Sequence, residues 1–152
     1  MSDTFRFDAV TDRFSLPLLF AAQAHKEVFH NEALARIDAL IHAAVMGEQN
    51  APPPDPDVAE CWLVADAPTG AWEDHPGAVA MFHGGEWVFA DPVPGMRIFN
   101  RSTRQFTVFC GEWMKPAIFE EPSGGLHVDA EARVAIRALV SALQAAGIYP
   151  AA

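Results

Sequence analysis

The chain has 152 residues, 51 % of them hydrophobic and 20 % charged, with eleven Phe and four Trp, which suits one packed domain and excludes general disorder. Twenty acidic side chains against ten basic ones give a formal charge of -10, a surface that repels phosphate backbones and argues against direct nucleic-acid binding. The opening MSDTFRFDAV lacks a basic region followed by a long apolar one, and no apolar run approaches the roughly 20 residues of a membrane helix, so the expectation is a protein that stays in the cytosol with no membrane partner.

Residues 1–14 read as an extended N-terminal arm and residues 15–152 as a single compact α+β domain. Leu16-Pro17-Leu18-Leu19-Phe20 is an apolar lead-in, and Val28-Phe29 reads as a short extended step between two helical pieces. Asn31 is placed to cap a helix over about 32 to 46, with Glu32 at the positive end of the helix dipole. Leu34, Ile37, Leu40, Ile41, Ala44 and Val45 recur at steps of three and four and make its apolar stripe, and Gly47 supplies a stop. The Pro-rich link Ala51-Pro52-Pro53-Pro54-Asp55-Pro56 then forces a stiff, extended path.

An antiparallel β-meander with Trp-bearing hairpins follows: Cys61–Val64, Val79–Phe82, Glu86–Phe89, Met96–Phe99 and Phe106–Phe109. Gly84-Gly85 fits a two-residue hairpin loop that needs positive φ. An internal echo links Phe82-His83-Gly84-Gly85-Glu86-Trp87 with Phe109-Cys110-Gly111-Glu112-Trp113; both put an aromatic, a glycine turn and a Glu-Trp pair in one order. Two copies are too few for a solenoid and read as repeated hairpin chemistry. Cys61 and Cys110 lie in apolar, strand-like surroundings and read as buried free thiols. The last helix starts at Asp129, runs to Gly147 and is amphipathic, with Ala132, Ile136, Leu139, Val140, Leu143 and Ala146 on its apolar stripe. Arg133 and Arg137, one turn apart, form a small basic patch suited to solvent or to an acidic partner.

The segment that invites chemistry is AQAHKEVFHNEALARIDAL, with His25, Lys26, Glu27, His30, Asn31 and Glu32 in a few turns. Zinc is a poor fit, because His25 and His30 are five apart and diverge by roughly 140° around a helix, and no further ligand pair closes a tetrahedral set. No G-x-S-x-G elbow, activated-cysteine setting or phosphate-cradling glycine loop is present, and the adjacent carboxylates Glu73-Asp74 and Glu120-Glu121 read as solvated turns. The expectation is a non-enzyme without cofactor or metal. Lys26, Glu27, His30, Asn31 and Glu32 then hold a tight turn and helix start by hydrogen bonds and ion pairs. Trp72, Trp87 and Trp113 serve packing or an interface, with a carbohydrate platform as the alternative. Trp87 and Phe89 share one side of their strand and Val88 takes the other, so both sides are apolar.

Leu16-Pro17-Leu18-Leu19, Gln23-Ala24, Lys26-Glu27-Val28, His30-Asn31-Glu32-Ala33-Leu34 and Asp38-Ala39-Leu40, continued by Gly70-Ala71-Trp72, the Ala80-to-Trp87 hairpin and Pro94-Gly95, resemble a domain-of-unknown-function family. That family occurs among structural proteins of alphaproteobacterial prophages and gene transfer agents, and the resemblance spans roughly residues 13 to 115. It implies a virion structural protein without established enzymatic activity, most like a head-spike base or fibre adaptor. The partners expected from it are other copies of the chain in a ring, a capsid protein and a spike or fibre protein. Host polysaccharide is a further partner in the alternative reading, as a carbohydrate-binding module attaching the particle to a capsule.

Overall fold

A computed structural model describes residues 9–19, 26–117, 119–120, 124 and 129–150. Among these residues helix α1 spans Lys26–Leu40, eight strands follow, and helix α2 spans Ala130–Ala145. The fold is α+β.

α1 is built from good helix formers, Ala, Leu, Glu, Lys and Arg. Its limits differ from the expected 32–46 at both ends. Val28 and Phe29 are helical and not an extended step, and Asn31 lies inside the helix and so does not cap it. The C-terminal limit comes earlier because His42 takes a left-handed φ of 48° and Ala44–Val45 become strand β1. Val45 is fully buried there, so sheet pairing overrides the helical period that its side chain fits. Gly47 lies beyond, close under Trp62, where an added Cβ would stand 3.2 Å from the indole.

The strands form two sheets and not one meander. β1 (Ala44–Val45) runs parallel to β6 (Arg97–Asn100), which pairs antiparallel with β7 (Gln105–Phe109) and then β8 (Trp113–Met114). β2 (Glu48–Gln49) runs parallel to β3 (Cys61–Val64), followed by antiparallel β4 (Val79–His83) and β5 (Glu86–Ala90). The break falls at Asp91-Pro92-Val93-Pro94-Gly95, whose two prolines have no amide for a ladder. Each sheet is thus a parallel stub beside three antiparallel strands, and Met46-Gly47 carries the chain from one to the other. The sequence echo marks equivalent hairpins in the two sheets. Phe82 pairs with Trp87 across Gly84 and Gly85, at φ 62° and 87°, and Phe109 pairs with Trp113 across Gly111, at φ 96°.

The sheets face each other over one core of Val45 and Ile98 from the first and Cys61, Leu63, Val79 and Met81 from the second. A second core covers the far side of β3–β5, where Val64 and Ala80 meet Trp72 from the 3-10 turn Gly70–Trp72. Val88 therefore packs inward while Trp87 and Phe89 pack outward against Trp72.

α2 begins as expected, with the Asp129 carboxylate accepting from the Ala132 amide at 2.8 Å. It ends in a left-handed Gly147 (φ 69°), whose amide and that of Ile148 return to the Gln144 and Leu143 carbonyls at 3.0 and 2.9 Å. An added Cβ on Gly147 would lie 3.2 Å from both Phe99 and Phe106, so only glycine lets the helix end seat on the outer face of the first sheet. That end is the attachment, because no residue of α2 is buried. No helix among the described residues is long and apolar enough to cross a membrane. Cys61 is buried as expected, but Cys110 is exposed, since it sits in the β7–β8 turn and not in a strand.

Candidate functional site: a groove between the first helix and the Trp87 hairpin

Two polar residues of α1, Asp38 and Asn31, fasten it to the body. Asp38 is buried and accepts from the Thr11 hydroxyl at 2.7 Å and from the Arg13 and Phe14 amides at 2.8 and 2.7 Å. Arg13 answers in the other direction. Its guanidinium donates to the carbonyls of Asp38 (3.0 Å), Ala39 (2.6 Å) and His42 (3.2 Å), satisfying groups that a helix C-terminus leaves open. The arm expected over residues 1–14 is therefore folded onto α1 from Thr11 onward, and residues 1–8 lie outside the described residues.

Asn31 makes the second fastening. Its side-chain carbonyl accepts from the Leu19 amide at 2.9 Å and its amide group donates to the Leu19 carbonyl at 3.0 Å, so one side chain imitates a strand pairing. This replaces the expected capping role. Glu32 pairs with Arg36 at 2.7 Å on the exposed flank, a contact of the i, i+4 kind. His30 is exposed, and one carboxylate oxygen of Glu27 is buried with no partner among the described residues. Lys26 opens the helix, and its side chain, like His25, lies outside the described residues. Among the described residues no three His, Cys, Asp or Glu side chains converge as a metal site would require.

α1 also exposes apolar residues: Phe29 is 77 % exposed, and Val28 and Ile37 are open to solvent. The expected burial of Ile37 and Ile41 is reversed, because the inward positions go to Asp38 and Ala39.

Between α1 and β5 runs an open groove of about 640 Å³. Asn31, Glu32 and Arg36 form its helical wall, and His75, Trp87 and Phe89 its aromatic wall. The aromatics are held in a stack. The Trp87 ring meets buried Trp72 edge-on at 5.0 Å and 88°, and His75 lies flat on Phe89 at 3.7 Å and 9°. The structure thus brings together Asn31, Glu32 and Trp87 of the residues singled out from sequence. It separates Trp72, which is 0 % exposed and cannot be a platform, and Trp113, whose indole donates to the Gly77 carbonyl at 2.8 Å and ties the first sheet to the second. Arg133 donates to the Gly124 carbonyl at 2.7 Å, and Arg137 is likewise engaged. Neither borders the groove.

Thr11, Arg13 and Asp38 were not recognised as a hub from sequence. The available signal is Asp38 itself, a carboxylate between Ile37 and Ala39 on a helix, where burial demands donors.

A family model described as "Protein of unknown function (DUF2793)" matches residues 30–114, more than half of the chain. The chain belongs to that family. The match runs from within α1 through β8, so it includes both sheets and the groove and stops before α2. No curated protein matches the chain.

Proposed function

We propose that this chain is a structural subunit of a phage-like particle of the gene-transfer-agent kind. In this reading it is a non-enzymatic head-spike base or fibre adaptor that joins a capsid vertex to a receptor-binding fibre, self-associates in a ring and is assembled in the bacterial cytoplasm. The observation that carries the reading is α2: a strongly amphipathic helix, anchored at one end, whose apolar residues Ile136 and Leu139 remain exposed. Solitary exposed apolar residues mean little, but a helix face that the described residues leave largely uncovered marks a contact surface. Phe29 and Ile37 on α1 add a second such face. Closed rings of identical subunits are the ordinary way to repeat a part about a vertex or fibre axis. Imaging particles made with and without the protein tests this. Loss of spikes with DNA packaging intact is the expected result, and unchanged particles would remove the reading.

The groove supports a second reading as a saccharide site, since Trp87 is half-buried there beside the polar side chains Asn31, Glu32 and Arg36. Titration with capsular polysaccharide tests it, with Trp87→Ala as the variant. Trp72→Ala cannot serve, because removing a fully buried indole damages the second core.

A further inference from the structure

The described residues cover the outer face of the first sheet only in part. The end of α2 seats over Phe99 and Phe106, and beside it Phe106, Val108, Met114 and Ile148 line an open apolar groove of about 360 Å³. Two cations border this groove, Arg97 and Lys115. Lys115 is paired with Glu48, whereas Arg97 lies 3.8 Å over the Phe106 ring and has no ion-pair partner among the described residues.

The turn before β3 has the opposite character. In Pro54-Asp55-Pro56-Asp57-Val58-Ala59-Glu60, three acidic residues surround Val58, which is 66 % exposed. The turn is closed by its own bonds. The Asp57 amide donates to the Glu60 carboxylate and the Glu60 amide to the Asp57 carbonyl, both at 3.1 Å. The Ala59 amide donates to Phe82 of β4, also at 3.1 Å, and Ala59 holds a left-handed φ of 65°, a strained conformation for a residue with a Cβ. Val58 is therefore presented on a preformed knob and not on a free loop.

We propose that the groove is a docking site for a second copy of this chain, filled by that copy's Val58 turn. The proposal rests on the self-association reading above and names the contact. Charge selects the occupant. The apolar stripe of α2 is flanked by the cation Arg133 and has no acidic residue within it to meet a groove bordered by Arg97 and Lys115, whereas the turn brings Asp55, Asp57 and Glu60. The groove belongs to the first sheet and the turn is bonded to β4 of the second, so the contact joins two different patches. Each copy offers one of each, which is the head-to-tail arrangement that closes into a ring when the rotation fits.

Sedimentation of the full chain over a range of concentrations tests the contact. The wild type should self-associate, and Val58→Asp should weaken association at least about tenfold, because a buried aliphatic side chain is replaced by a charge. Asp57→Arg and Arg97→Glu should each weaken it, and together should restore it. All three positions are exposed, so circular dichroism and melting should match the wild type and exclude misfolding as the cause. Association unaffected by Val58→Asp, or lost only on Leu139→Asp, overturns the contact while self-association stands. A wild-type chain that stays monomeric overturns both.

Discussion

The two helices invert the usual relation between apolar pattern and burial. α1 has its apolar and polar residues spread around the cylinder, yet it is fastened along its length by Asp38, Asn31 and the answering Arg13. α2 has a clean apolar stripe, yet none of its residues is buried and its last turn alone seats on the sheet. Hydrophobic patterning says that a face needs cover, but it does not say whether the cover is in the same chain. α1 is held in place by hydrogen bonds to residues 11–19 although Phe29 and Ile37 stay exposed, and in α2 the cover is left to another molecule under the function proposed here.

The largest expected effect breaks the α1 side of this comparison. Asp38→Ala removes the acceptor of three donors at once and should cost about 3 kcal/mol, measured by urea unfolding. Loss of less than about 1 kcal/mol would mean that water replaces the carboxylate. Asn31→Ala removes two bonds on the more exposed flank and should cost about 1 kcal/mol in the same assay.

Cys61 sharpens the comparison through pH. Burial pushes its thiol up from 9.0 to about 11, with Arg13 pulling the other way and Asp38 and Glu60 adding to the rise. A pKa raised in the folded state means that the unfolded chain gives up the proton first. The contribution of Cys61 to stability is therefore complete below pH 9 and is lost as pH rises towards 11. Cys61→Ala should flatten that part of the stability–pH curve relative to wild type. At neutral pH a thiol reagent should label exposed Cys110 and spare Cys61, and Asp38→Ala should unmask Cys61 by loosening α1. The smallest effect belongs to α2. Leu139→Asp should change monomer stability by less than about 0.5 kcal/mol, because the side chain is 60 % exposed. Under the proposed function the same change should impair incorporation into particles.

Much of the fold was legible because its signals are local. The strands carry β-branched and aromatic runs, Gly84-Gly85 specifies a tight hairpin, and Asp129 and Gly147 bracket α2. The division into two sheets was also written in Pro92 and Pro94, although a continuous meander fits the strand pattern equally well until the proline amides are counted. The stubs β1 and β2 were not legible. Two residues carry no period, and Val45 fits a helical stripe as well as a buried strand. At the groove, Trp87 and the polar segment of α1 were visible as separate motifs, but their meeting across α1 and β5 is a tertiary fact. The Asp38 hub was missed because its partners Thr11, Arg13 and Phe14 lie about 25 residues away, beyond any periodic signal.

Amide hydrogen exchange on the dilute chain and on assembled particles tests the central claim most directly, since it reads both helices in one experiment. α1 from Asn31 to Leu40 should be protected in both samples. Residues 130–141 of α2 should exchange rapidly in the dilute chain and become protected on assembly. Strong protection of that stretch of α2 in the dilute monomer, or no gain in the particle, would contradict the claim.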